Sequence, residues 1–301
     1  MGGRARAEGA HGLGVRADRR LPPVLSEEQQ AALKTAVEGT PEASDVEQAN
    51  WNWKGVHQFV KRRFGRTLSS SSCLNYLHRL DFVLKRPKKR FLKADEAKRA
   101  AFVQMYAELR RTAEAEGATI FFVDEAHFRA DVEVRAKWVP RGTPALADTS
   151  SPRRGEKATY YSAVCLETGQ TEVMNVMENL TAETSVAFLK QLRANHTQPL
   201  IVIWDNGPMH HGDALRTYLT TPNLKLRLVA LPGYSPDFNA DEAIWDWVRE
   251  EVTANTCFGT AAKVREKVDA FLVRLADKTD EVKQRCRTIL QSRADALLAV
   301  V

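Results

Sequence analysis

A mixed α/β sheet with helices on both faces, preceded by a small all-α module, is the fold class this sequence predicts. Three observations carry the prediction. Short apolar runs alternate with amphipathic helical stretches from residue 118 onward. Two short helical segments split by Gly-Arg-Thr stand before them at helix-turn-helix spacing. Basic charge is concentrated on that earlier stretch: residues 51–93 hold twelve Lys/Arg and one acid, a net of +11, whereas the remainder holds 32 Lys/Arg and 37 acids, a net of −5.

A basic module joined to a mildly acidic body suggests a polyanion held by one part and processed by the other. A solvated basic face is the competing reading of composition alone. A chain of 301 residues with 44% hydrophobic content can bury a substantial core. No apolar run approaches the length of a membrane span and no signal-peptide pattern opens the sequence. Cys73, Cys165, Cys257 and Cys286 stand far apart, which reads as reduced thiols and not as a cysteine zinc site. No G-x-x-x-x-G-K-[ST] occurs, so a P-loop ATPase is excluded.

Residues 1–25, rich in Gly, Arg and Ala, read as a flexible arm. A helix-turn-helix domain is expected over 26–93. Its first helix, "SEEQQAALKTAVE", opens with a capping box of Ser26 and Gln29. In the second, "WNWKGVHQFVKRRFG", Val56, Phe59, Val60 and Phe64 share a face and Gly65 ends it. The third, "SSSSCLNYLHRL", has serine caps and an expected inner face of Cys73, Leu74, Leu77 and Leu80. Basic "KRPKKR" behind it reads as a wing or linker, giving the module a winged-helix-like outline. The third helix is the expected major-groove reader, led by Ser70, Ser71, Ser72 and Asn75. Lys61, Arg62, Arg63 and Arg66, with Lys88, Lys89 and Arg90 behind, are the expected phosphate contacts.

A long helix over 94–117 is expected to link this module to a second domain at 118–256. There "TIFFVDE" and "PLIVIWD" read as buried strands, "VRAKWV", "TYYSAVCLE" and "LKLRLVAL" as further strands, and "TAETSVAFLKQLRANH" as a helix. Another helix begins near His211. Residues 257–301 read as further helices, open as to whether they are core or partner surface.

Both buried strands end on an aspartate, Asp124 and Asp205. Ligand sites in open α/β sheets lie at the carboxyl ends of strands, so two such acids can sit side by side. Adjacent carboxylates repel unless a cation lies between them, and Mg²⁺ takes oxygen ligands. A third acid would complete a two-metal phosphoryl-transfer centre, and "LPGYSPDFNADEAIW" offers Asp237, Asp241 and Glu242. Each acid also has a plain structural reading, as a strand-end turn former or as the N3 member of a helix cap.

"FFVDEAHF", "KWVPRGTP", "IWDNGPMHH" and "LPGYSPDFNADEAIWDWV" resemble the DDE transposases of the mariner superfamily, in its bacterial insertion-sequence branch. The resemblance spans roughly residues 20 to 255. It implies an RNase H-like catalytic domain in which Asp124, Asp205 and Glu242 are catalytic and hold Mg²⁺, with Mn²⁺ able to substitute. Eighty residues separate the first two acids and thirty-six the second and third, which suits that family. His210 becomes a possible hydrogen-bond partner of substrate phosphate or of a carboxylate, against a plain reading as a helix-start surface histidine. Arg141 becomes a possible substrate-phosphate contact, while His127, His211 and Trp138 read as fold support. The implied function is cut-and-paste transposition: strand cleavage at element ends and strand transfer into target DNA. The implied partners are double-stranded DNA (terminal inverted repeats and target) and a second protomer, with no membrane. The implied location is the bacterial cytoplasm, at the nucleoid. A catalytically decayed or recruited sequence-specific DNA-binding protein is the alternative, and the intact acids argue against it. Geometry ranks the acids of the last motif as well. With Asn239 as helix cap, Asp241 and Glu242 fall at N2 and N3; Glu242 then lies on the Ile244–Trp245–Val248 side, Asp241 nearer the flank, and Asp237 in the preceding turn.

Overall fold

A computed structural model describes residues 23–85, 91–150 and 155–299. They form two compact units, one within residues 1–89 and one within 90–301. Most of the expected arm, together with Lys88, Lys89 and Arg90, lies outside the described residues.

The first unit contains α1 (Glu27–Glu38), α2 (Trp53–Phe64) and α3 (Ser70–Arg79). Each helix starts where a side chain can satisfy its free N–H groups. The Ser26–Gln29 capping box is present. Asn52 Oδ1 accepts from the Lys54 and Gly55 amides, and Ser69 Oγ accepts from Ser72. Gly65 ends α2 in the left-handed region at φ 63°, which a residue with a Cβ adopts only under strain. Leu33, Val56, Phe59, Val60, Leu68, Cys73 and Tyr76 form the core. Leu74, expected inside, is 43% exposed, and Tyr76 takes the interior place instead. One residue along a helix turns a side chain by about 100°, so Leu74 leaves the face that Cys73 occupies while Tyr76 stays on it.

The second unit is built on a five-stranded sheet in the order β3-β2-β1-β4-β5. The strands are β1 (Thr119–Arg129), β2 (Lys157–Val164), β3 (Thr171–Val176), β4 (Leu200–Trp204) and β5 (Leu226–Ala230). The first three pair antiparallel, and β4 and β5 run parallel to β1. The hairpin strand β3 is absent from the sequence reading; the turn before it places Gly169 at φ 74°. "VRAKWV" is not a strand: its segment makes one isolated bridge, Glu133 to Ala254, and Trp138 is fully exposed. Pro140 and Pro144 follow it and no neighbouring strand pairs with it, so its apolar residues have no sheet to join.

Strand alternation divides the core in two. Ile120, Phe122, Ala126 and Phe128 of β1 face α4 (Glu96–Glu116), α7 (Glu242–Val248), α8 (Ala261–Leu275), α9 (Thr279–Arg285) and α10 (Ile289–Leu298). Phe121 and Val123 face α5 (Ala182–Asn195) and α6 (Asp213–Leu219). The helix expected as a linker is α4, and it belongs to this unit: its Tyr106 ring meets Phe122 edge-on at 5.7 Å. The C-terminal helices are core, with Val264, Val268, Phe271, Cys286 and Leu290 buried on the same face. Trp245 anchors α7 there, its ring 5.7 Å from Phe128 and 6.2 Å from Tyr160. Among the described residues, no helix is long and apolar enough to cross a membrane.

Because Trp245 is fully buried among aromatic rings, Trp245→Ala is expected to destabilise the second unit by about 3–5 kcal/mol. Urea unfolding followed by circular dichroism should show the lowered midpoint, and an unchanged midpoint would contradict this packing.

Candidate active site

The parallel register pairs Phe122 with Ile203, so Asp124 and Asp205, each two residues further on, emerge together where β4 ends beside the middle of β1. The first strand does not end on its aspartate as expected: β1 runs on to Arg129 because β2 pairs with it that far. One turn builds the third side. A 3-10 turn, Pro236–Phe238, precedes α7, and Asn239 ties it to the sheet: its Nδ2 donates to the Val123 carbonyl at 3.1 Å and its Oδ1 accepts from the Asp241 amide at 3.2 Å. Arg99 of α4 fixes the turn from behind, donating to both Asp237 oxygens at 3.0 and 2.7 Å with its guanidinium over the Phe238 ring. Asp124, Asp205 and Glu242 thereby line one cleft of about 480 Å³, with Phe91, Asn206, Tyr234 and Asn239 among its other walls.

Charge in this cleft is unbalanced. Burial, and then the charges of Glu242, Asp241, Glu125 and Asp205, push the Asp124 carboxyl well above the usual range. Burial also raises Glu242, against the opposing pull of Arg249. Asp205 is held low, first by His210 and then by the Gly207 amide. Three carboxylates converging from separate segments make an all-oxygen donor set, which fits a hard divalent cation such as Mg²⁺ or Mn²⁺.

The last motif corrects the sequence reading in one respect. Helix α7 begins at Glu242 itself, Asp241 is its N-cap residue and makes no capping bond, and Asn239 acts two residues earlier. Glu242 is therefore not an N3 capping residue. Asp241 does not lie on a flank: it is 0% exposed and accepts a hydrogen bond from Ser162, the β2 residue paired with Asp124. Its Oδ1 has no hydrogen-bond partner, and burial drives its carboxyl well above the ordinary range. His210 is not a surface histidine: it is 5% exposed, stacked on Trp204 at 3.9 Å, and its Nε2 lies beside carboxylates, one of its expected kinds of partner. Arg141 is exposed in the long β1–β2 connection and is not among the cleft-lining residues.

Within the first unit, Lys61, Arg63, Arg66, Ser70, Ser71 and Asn75 are exposed. Ser72 turns partly inward onto Ser69, and Arg62 is drawn to Glu47 at 2.9 Å. Glu125, Ser162 and Arg99 were not legible as site residues. The one sequence signal was the Asp-Glu pair ending the first buried run.

Against this geometry, residues 119–265 match the family described as DDE superfamily endonuclease, and residues 47–106 match the winged helix-turn-helix family. The chain is similar to an uncharacterized 39 kDa protein of insertion element IS630 in Shigella sonnei, 28% identical over 156 residues. That match covers 51% of this chain and 44% of the relative, so the chain spans less than half of the curated protein it matches. The fold is shared with the mariner Mos1 paired-end complex with Mg, at a TM-score of 0.64 and 18% identity over 99% of this chain and 83% of that one. The corresponding complex with Mn gives 0.61 at 17% identity, covering 96% and 82%. The RNase H-like catalytic fold with a helix-turn-helix ahead of it is thus present.

An acid whose folded-state pKa is raised stabilises the native state fully below its unfolded value, about 3.9, and loses that contribution as pH rises toward the folded value. Asp241→Asn should therefore gain stability over the native protein progressively from about pH 4 upward. Thermal melts in chelator across that range read the difference, and a gap that narrows with pH would contradict the burial of this acid.

Proposed function

We propose that this chain is a transposase that cleaves DNA at the ends of an insertion element and joins the freed ends to target DNA. The observation that carries the reading is the meeting of Asp124, Asp205 and Glu242, from β1, the end of β4 and the start of α7, in one cleft of a DDE domain behind a basic helix-turn-helix.

Asp124, Asp205 and Glu242 would hold Mg²⁺, with Mn²⁺ able to replace it. When bound, such ions activate water or a 3′-hydroxyl and stabilise charge on the phosphate being transferred. The chain's own contribution is positional. Asp124 is set by the rigid centre of the sheet, Glu242 by the Asn239 and Arg99 ties of the preceding turn. Tyr234 and Phe91, rings 5.9 Å apart on the cleft wall, offer apolar faces against which a nucleotide can lie. Double-stranded DNA, as terminal inverted repeats and as target, is the proposed substrate, and two protomers would pair the ends. In a bacterial cell that activity belongs in the cytoplasm, at the nucleoid. Lys61, Arg63 and Arg66 are the proposed phosphate contacts, and Ser70, Ser71 and Asn75 the proposed readers of base edges.

Asp124→Asn, Asp205→Asn and Glu242→Gln are each expected to lower Mg²⁺-dependent nicking of DNA carrying the flanking inverted repeats by more than about 100-fold, with duplex binding retained. Asp237→Asn, which loosens the turn without removing a cleft carboxylate, should keep part of the activity. Ordinary nicking by Asp124→Asn would rule out the cleft as the active site.

Replacing Lys61, Arg63 and Arg66 together with alanine should reduce the steepness of log affinity against log salt by about 3. Fluorescence anisotropy with a labelled duplex, repeated over several salt concentrations, measures this. An unchanged slope would place the phosphate contacts elsewhere.

A further inference from the structure

Successive residues of β1 point to opposite faces, so Glu125 leaves the sheet on the side away from Glu242, against α5 and α6. There its Oε1 lies 3.2 Å from Nε2 of His210, and the same nitrogen is 3.4 Å from Oδ1 of Asp205. Both Glu125 and His210 are more than nine-tenths buried as side chains, at 8% and 2% exposure. The imidazole is held in place on its other sides as well. Its ring stacks on Trp204 at an interplanar angle of 18°. Ser185 Oγ, which donates to the Met209 carbonyl at 2.9 Å and meets the Tyr161 hydroxyl at 2.9 Å, lies 3.5 Å from Nδ1. Nε2 thus faces two carboxylate oxygens.

On the cleft side, Asp205 Oδ1 also accepts the Gly207 amide at 2.7 Å. One oxygen of this acid is committed to the protein. Among the described residues Oδ2 makes no hydrogen bond. The rotamer of an otherwise exposed aspartate is set by contacts behind it.

We propose that Glu125 is a positioning residue that acts through His210 to hold Asp205 with a single oxygen turned into the cleft. This deepens the proposed function, resting on Asp205 as a metal-holding residue, and it gives the Asp-Glu pair of β1 two separate tasks on two faces. Without Glu125, a buried imidazole loses one of the two carboxylates that orient it, and Asp205 gains freedom to turn from the cleft. Outer partners of this kind typically change metal affinity by about 10–100-fold.

The test is calorimetric titration of Mn²⁺ into the full chain without DNA, comparing the native protein with Glu125→Gln, His210→Ala and the double variant. Each single variant is expected to weaken Mn²⁺ binding by about tenfold. The double variant should be no worse than His210→Ala, because two residues that act in series are not additive. In the nicking assay, the Mg²⁺ concentration for half-maximal rate should rise by a similar factor, with a smaller change in rate at saturating metal. A merely structural role would lower the melting temperature and leave the Mn²⁺ affinity of the folded variant alone, and that result overturns the proposal. Additive losses overturn it too. So does a Mn²⁺ or Zn²⁺ ion that Asp124→Asn still binds but Glu125→Gln does not, since Glu125, Asp205 and His210 would then form a metal site of their own. Should Glu125→Gln lack a cooperative melt, Ser185→Ala releases Nδ1 without altering any charge, and an unchanged affinity there is equally decisive. The titration needs no nucleic acid, so its failure is separable from failure of the transposase reading.

Discussion

Electrostatic repulsion among acids crowded onto one end of an apolar sheet is the constraint around which the second unit is arranged. Asp124, Glu125, Asp205, Asp241 and Glu242 all act on one another there. Left alone, five carboxylates in partly desolvated surroundings would oppose the fold. The structure handles them unequally. Asp241 is fully buried against Ser162 and pushed toward its neutral form; Asp205 is kept ionised by His210 and the Gly207 amide; Asp124 and Glu242 are left raised and facing the cleft. Repulsion that the protein does not relieve internally is what a divalent cation relieves on binding, so the strain and the metal affinity have the same origin.

Such an arrangement works only if the acids cannot move apart, and the surrounding packing prevents it. Asp124 lies at the middle of β1, which is paired on both sides. The turn carrying Glu242 is gripped from two directions, by Asn239 on the Val123 carbonyl and by the Arg99–Asp237 pair. Arg99 is itself buried along its stem and stacked over Phe238, so α4 serves as the back wall of the site. Trp245, one turn into α7, locks the helix to Phe128 and Tyr160. The first unit carries none of this chemistry: its exposed Lys61, Arg63 and Arg66 supply charge for phosphates, and its core is a separate cluster.

The sequence by itself determined the parts that depend on local rules. Helix starts at Ser26 and Ser69, the stop at Gly65 and the buried strands that carry Asp124 and lead into Asp205 follow from capping, left-handed glycine and apolar runs, and the structure contains them, although β1 runs past Asp124 to Arg129. The charge segregation and the three cleft acids were equally legible, the latter through the motifs that carry the family resemblance. Tertiary structure decided everything that depends on a distant partner. Residues 134–139 read as a strand but have no neighbour to pair with, whereas Thr171–Val176 becomes one because β2 lies beside it. Asp241 and Glu242 are adjacent in the chain and alike in chemistry; one faces Ser162 in the core and the other the cleft, because the helix starts one residue after Asp241, where Asn239 pins the turn to Val123. Glu125 gains its place opposite His210 only when β4 and its following turn come alongside β1. Local periodicity says which way a side chain points, but what it meets there is set by residues dozens of positions away.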